Sequence, residues 1–227
     1  ELVNNYAQIS FSFEPILLHW LAKQAPDVYA AVIQADRESQ ARFGGHGSAL
    51  AQPFAHPILP LATRRDKTTL VRWGLADFAH RFDRAAEGIW LPETAVDTET
   101  LEVLADEGLK FTILAMDQAA QICQRDQADW VPAAGRLDPT RPYRCLLPSG
   151  RSITLFFFHN DLTGAISSGE VLHNGEVFAE RLLKGFPQED HGTPLLHVAT
   201  DGELYGHRHR HGDMALAYAL HRLSCEP

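Results

Sequence analysis

Gly88-Ile89-Trp90-Leu91-Pro92-Glu93 reads as a short apolar strand that runs straight into a carboxylate. A strand of this kind, ending on an acid beside an aromatic ring, delivers that acid to the ligand-binding rim of an α/β barrel. A second stretch repeats the pattern: His197-Val198-Ala199-Thr200-Asp201-Gly202-Glu203 passes through an apolar run and stops at Asp201. Either acid alone is equally compatible with a turn residue or a helix cap. As a pair at strand ends they suggest glycosidic chemistry. Breaking an acetal needs one carboxyl group to protonate the leaving oxygen and another to stabilise or attack the anomeric carbon.

The surrounding periodicity fits a β-then-α series. Alternation predicts a strand over 7–13, and Pro15 suits the first turn of a helix reaching Lys23. A second helix follows Pro26, with Val28, Ala31, Val32 and Ala35 on one face. The glycines and prolines between Phe43 and Leu61 break helices and predict a long structured loop. Asp66 can cap the next helix, whose apolar stripe is Leu70, Trp73, Leu75, Phe78 and Phe82. After the strand over 88–91, Asp97 caps a helix bearing Leu101, Leu104 and Ala105. That helix ends at Gly108, and a strand over 110–114 follows. Strand, helix and strand in this order imply parallel pairing through a right-handed crossover. Residues 116–141 read mostly as loop. The runs 143–147 and 152–158 flank Pro148-Ser149-Gly150-Arg151 as a hairpin. Asn174 caps a helix to Lys184, residues 195–200 form a buried strand, and a helix over 213–223 carries Ala215, Leu216, Ala219 and Leu220.

Composition sets limits. The chain has 227 residues, 45% of them hydrophobic and 22% charged. Such a chain is globular and long enough for one sizeable core, and it shows no repeat or linker. A net charge of −9 argues against a nucleic-acid surface, which needs clustered Lys and Arg. Neutral sugars or a protein partner are easier to accommodate. No apolar run is long enough to span a membrane. Cys123, Cys145 and Cys225 lack disulfide or thiolate-metal spacing and are expected to be reduced thiols in a cytoplasmic setting.

The chain resembles glycoside hydrolase family 57, in particular its α-amylase and α-mannosidase-like members. The resemblance rests on Ile9-Ser10-Phe11-Ser12-Phe13-Glu14-Pro15 and on the loop from Gly45-His46-Gly47-Ser48 to His56-Pro57-Ile58-Leu59-Pro60-Leu61. It continues through Gly88 to Glu93, then Asp201-Gly202-Glu203 with Tyr205-Gly206-His207. It implies an incomplete seven-stranded (β/α) barrel related to the TIM barrel. It further implies a retaining mechanism on α-glucans with Glu93 as nucleophile and Asp201 as general acid/base, and no cofactor. The carboxyls would then stand about 5–5.5 Å apart. The family's first motif, a strand ending in His-Gln-Pro or similar, is absent and is expected upstream of Glu1. Residues 1–227 are therefore expected to be one catalytic domain from a longer chain, inactive and self-associating by itself.

Other residues have two readings each. His46 and His56 match positions near substrate in that family, where a neutral imidazole hydrogen-bonds sugar hydroxyls; the alternative is bonding to loop backbone. Trp90 can stack on the C–H face of a pyranose or pack in the core. Glu203 returns to the same side of an extended chain as Asp201 and competes for the acid role, which the family pattern gives to Asp201. Glu14 and Asp161, both at strand ends, are candidate sugar-binding residues. His207, His209 and His211 alternate as metal ligands would, yet Arg208 and Arg210 between them repel a cation. His207 matches the family motif, and no metal is expected. Two further classes stay open: a metal-dependent carbohydrate deacetylase, and a non-catalytic carbohydrate-binding barrel.

Overall fold

The computed structural model describes residues 3–124, 129–187 and 193–225. In chain order the main elements are β1 (Phe11–Ser12), α1 (Pro15–Gln24), α2 (Pro26–Arg42), β2 (Ala49–Leu50), α3 (Arg64–Phe82), β3 (Gly88–Ile89), α4 (Thr98–Asp106) and β4 (Phe111–Ala115). They continue as β5 (Gln121–Ile122), β6 (Val131–Pro132), β7 (Tyr143–Leu146), β8 (Ser152–Phe158), α5 (Asn160–Ser167), α6 (Gly175–Leu183) and α7 (Gly212–Ser224). The backbone packs as two compact units, Glu1–Ile113 with Arg144–Leu155, and Leu114–Tyr143 with Phe156–Pro227.

In the first unit β1 pairs with β2 in parallel, Phe11 opposite Ala49 and Ser12 opposite Leu50. An Ala51–Ile89 bridge continues the parallel order to β3, which pairs with β4 through Gly88–Phe111 and Ile89–Thr112. Strand order then runs β3-β4-β8-β7. Helices α1 to α4 bury Leu18, Leu21, Val32, Val71, Phe78, Phe82, Leu101 and Leu104, and the strands contribute Phe11, Ile89 and Ile153. Gly74 lets α3 lie against β2's exit, because a Cβ there would collide with the carbonyl oxygen of Gln52.

The helix starts follow local chemistry. Pro15 and Pro26 open α1 and α2, where a missing amide costs nothing. Asp97 accepts the Thr100 amide at 2.7 Å and caps α4. At α3 the cap is Thr63 rather than Asp66: the Thr63 hydroxyl accepts the Asp66 amide and donates to the Asp66 carboxylate at 2.7 Å. Asp66 thus sits inside the first turn, where its carboxylate accepts from the capping hydroxyl.

Several expected faces and strands differ. Trp73 and Val28 are exposed, and the buried stripe of α3 is Lys67, Val71, Gly74, Phe78 and Phe82. That stripe has the helical spacing, but it begins on a charge and uses a glycine, so an apolar count misses it. The glycine- and proline-rich loop contains β2, held by Ser48 and Ala49 amides bonded to Ser39 Oγ and Asp36 Oδ1. Residues 195–200 form no strand and are half-buried to exposed. Their backbone is held instead by single bonds, Leu195 N–H to the Thr140 carbonyl and Ala199 N–H to Thr163 Oγ1.

In the second unit β5 pairs antiparallel with β6, and Asn174 caps α6 through two amides. Helix α6 lies against α7, where the Tyr218 hydroxyl donates to Glu176 at 2.7 Å. The core includes Leu162, Ile166, Leu172, Phe178, Leu204 and Ala219.

Asp36 is fully buried on α2 and accepts Arg84 Nη2 at 2.8 Å, Arg84 Nε at 2.9 Å and the Ala49 amide at 2.8 Å. Burial pushes its carboxyl up, but the hydrogen bonds from Arg84 and Ala49 outweigh that and hold it below its ordinary value. A depressed folded pKa contributes stability that is complete above the unfolded value near ~4 and is lost as pH falls through the folded one. Asp36→Asn leaves the Arg84 charge uncompensated. It is expected to lower stability by about 3 kcal/mol at pH 7 and to flatten the acid limb below about pH 4. Urea unfolding at both pH values checks this. Equal midpoints for the two proteins at pH 7 would contradict it.

Candidate active site

Parallel order places the exits of β1, β2 and β3 at one edge of the first unit's sheet. Glu14 follows β1, His56 follows β2 and Glu93 follows β3. After β3 the chain buries Leu91 and Pro92, then turns through Glu93 at φ +56° and Thr94 at φ +51°. Side chains other than glycine pay about 1–2 kcal/mol each in this left-handed region, and a β-branched Thr there is a genuine outlier. The facing loop does the same, with Ala55 at φ +66° and His56 at φ +47°.

These two turns meet: His56 Nε2 lies 3.3 Å from Glu93 Oε1. The carboxylate can only accept, so the contact uses a proton on His56 Nε2. The side chains are 47% and 71% exposed, so the pair adds at most ~1 kcal/mol and serves orientation more than stability. Trp90 lies between the buried Ile89 and Leu91, so pleating turns its half-buried ring to the other face. Its amide donates to the Ala51 carbonyl at 2.8 Å. Glu14 stands at the start of α1, half-buried, and its carboxylate makes no capping bond among the described residues.

His46 is placed elsewhere. It precedes β2 and lies 2.7 Å from Oε2 of Glu87, which precedes β3. Both therefore sit at the entry edge of these strands, opposite to Glu93. Lys110 also donates to Glu87, and the hydrogen bonds from Lys110 and His46 hold that carboxyl below its ordinary value.

In the second unit Asp201 is exposed at the start of the turn Gly202–Leu204, with its carbonyl accepting the Leu204 amide at 3.2 Å. Glu203 is paired with Arg208 at 3.1 Å, and His207 is exposed three residues beyond that turn. Tyr205 and Thr200 share a hydroxyl–hydroxyl bond of 2.9 Å, and burial pushes the Tyr205 phenol up. Asp161 lies on the first turn of α5, where it lines a groove of about 490 Å³ with Asp117, His159, Asn160 and apolar Leu137 and Pro139. His159 Nδ1 accepts the Leu162 amide at 3.4 Å, so the neutral ring carries its proton on Nε2. Among the described residues no group of three or more His, Cys, Asp or Glu side chains could hold a metal ion, and no helix is long and apolar enough to cross a membrane.

Three residues here went unnoticed in the sequence. Gln52 is buried beyond β2 and donates to Ser12 Oγ at 2.6 Å, while its Oε1 has no partner among the described residues. His197 packs its ring 4.9 Å from Phe156 and leaves Nε2 without a partner among them; burial pushes its pKa down and keeps it neutral. Lys67 is the third, a charge at the head of a buried stripe. A polar side chain ending the apolar run Ala49-Leu50-Ala51 is the one signal that points to Gln52; Lys67, set among Arg64, Arg65, Asp66 and Thr68, carries no such signal.

The family model for glycosyl hydrolase family 57 matches residues 10–226. The chain is 26% identical over 107 residues to alpha-amylase 1 of Dictyoglomus thermophilum, a match covering 47% of this chain and 15% of that protein. The crystal structure of a 4-alpha-glucanotransferase from Thermococcus litoralis superposes with a TM-score of 0.70 at 18% identity, over 97% of this chain and 32% of that one. An exo-type maltose-forming amylase from Pyrococcus sp. ST04 gives 0.72 at 16% identity, over 98% and 37%. At such identities the structural likeness shows a shared α/β fold. The chain spans about a third of the length of these solved relatives and less of the amylase from Dictyoglomus.

The left-handed turn makes its own forecast. Thr94→Gly removes roughly 1–2 kcal/mol of strain and adds about 0.5–1 kcal/mol of unfolded-state entropy. Stability in urea is therefore expected to hold or rise slightly. A loss above about 1 kcal/mol would show that the turn stores no strain.

Proposed function

Because the chain belongs to glycosyl hydrolase family 57, we propose that it supplies catalytic residues of a retaining glycoside hydrolase or glucanotransferase acting on α-linked glucans. The observation that carries this reading is the pair of left-handed turns that present Glu93 to His56 at the exit edge of β2 and β3. Costly backbone conformations persist where surroundings enforce them, and they cluster at reactive groups. The relatives include an alpha-amylase, a 4-alpha-glucanotransferase and a maltose-forming amylase, which supports α-glucan as the substrate.

In this reading Glu93 attacks the anomeric carbon as a carboxylate while protonated Asp201 gives its proton to the glycosidic oxygen, and the bond to the leaving sugar breaks. Water or an acceptor hydroxyl then attacks the glycosyl ester. Asp201 takes the incoming proton, and Glu93 leaves as the carboxylate. His56 holds the Glu93 carboxyl in line through its Nε2 proton. Trp90 offers a sugar-stacking face, and Glu14, Asp161, Glu203 and His207 hydrogen-bond hydroxyls. Both units belong to one catalytic domain, an incomplete seven-stranded (β/α) barrel, which the consecutive parallel order of β1 to β4 supports. A cytoplasmic setting, with Cys123, Cys145 and Cys225 as reduced thiols, is part of the same reading.

Glu93→Gln in the full-length protein keeps size and removes the nucleophile. Turnover of malto-oligosaccharides is expected to fall by about 10³-fold or more without loss of fold. Asp201→Asn is expected to spare the first step for substrates with good leaving groups, which need no proton donor. Wild-type rates for the Glu93 variant would overturn the assignment.

A further inference from the structure

The side chain of Lys67 on α3 is 2% exposed. Its ammonium donates to Asp97 Oδ1 at 3.0 Å and Oδ2 at 2.8 Å and stands 3.0 Å from Glu99 Oε2, so its donors are all engaged. Asp97 in turn caps α4 through the amide and hydroxyl of Thr100. Burial pushes the Lys67 pKa down, but the hydrogen bonds its ammonium donates to Asp97 and Glu99 outweigh this and raise it, so the amine stays charged. A buried ion group of this kind adds little net stability, since apolar replacements of similar volume are often neutral or better. Fixing a position is the better account of it.

The position it fixes is the far end of the Glu93 turn. The near end is held where Trp90 N–H meets the Ala51 carbonyl at 2.8 Å and Leu91 is fully buried. Between them Thr94 N–H bonds the Leu91 carbonyl and Ala95 N–H bonds that of Pro92, at 2.9 and 3.0 Å. Two left-handed residues survive in a segment this short only if both ends are pinned. Asp97 and Glu99 open α4, so a bond from each to one ammonium pins the second end to α3.

We propose that Lys67 is a positioning residue for catalysis: its clamp on Asp97 and Glu99 holds the Glu93–Thr94 turn in the left-handed form that presents Glu93 to His56. The catalytic half of this rests on the assignment of Glu93 as nucleophile. The positional half rests on the geometry alone.

Two variants of the full-length protein test it, Lys67→Met and the gentler Glu99→Gln, which keeps the two Lys67–Asp97 bonds. The readouts are kcat and KM on malto-oligosaccharides, the melting transition, and the side-chain 15N signals of His56. Glu99→Gln is expected to stay folded, lower kcat about tenfold with KM within about twofold, and shift the His56 signals toward those seen in Glu93→Gln. Lys67→Met should do the same to a greater degree; if it does not fold, Glu99→Gln decides alone. Unchanged His56 signals in a folded Glu99→Gln protein would overturn the proposal, whether or not kcat falls. Shifted signals with unchanged kcat would support the clamp and sink Glu93 as nucleophile instead, a result that activity in Glu93→Gln itself would show independently.

Discussion

Ala51 is the hinge on which the exit edge depends. Its amide donates to the Gly88 carbonyl at 3.2 Å and its carbonyl accepts the Trp90 amide at 2.8 Å, which ties β2 to β3 in parallel register. A slip of one residue would turn Ile89 and Leu91 out of the core and Trp90 into it. It would also carry Glu93 away from His56. Gln52 follows directly, and Gly74 of α3 leaves room for its carbonyl, so helix and strand fix that register together.

Around this hinge the first unit places its buried charges at joints between elements. Asp36 links α2, the start of β2 and Arg84 beyond α3. Lys67 links α3 to the start of α4. Neither group is the cheapest way to fill a core, because ions lose hydration that their partners only partly replace. Each instead gives a bond of fixed direction where apolar packing would allow sliding. The turns carrying His56 and Glu93 lie between such joints, and their positive φ values are the local cost of that constraint.

Much of this was legible in the sequence because it depends on local chemistry. Pro15, Pro26, Asp97, Asn174 and Gly108 mark helix ends through backbone groups they satisfy or release, and those ends fall where they mark them. The strand exit carrying Glu93 was legible for the same reason. The failures are of a different kind. The stripe of α3 includes Lys67 and Gly74, whose burial is decided by Asp97, Glu99 and Gln52, all distant in sequence. Strand β2 hides in a segment whose glycines and prolines mask it, and its pairing partners lie on other elements. Residues 195–200 have a strand's composition but meet only isolated partners, so no ladder forms. For the site, the sequence pointed to His56 and Glu93 separately; only the fold shows them in contact, and only the fold sends His46 to the other end of the strands.

The central claim is that Glu93 forms a covalent bond with the sugar, and trapping that bond tests it most directly. An activated fluoro-sugar such as 5-fluoro-α-maltosyl fluoride, given to the full-length protein, would lose fluoride at the anomeric carbon and form a slowly hydrolysed ester. Digestion and mass spectrometry are predicted to find the added sugar on the peptide that carries Glu93, and none after Glu93→Gln. A stable adduct on another carboxylate, or turnover to product of inverted anomeric configuration with no adduct at all, would contradict the account.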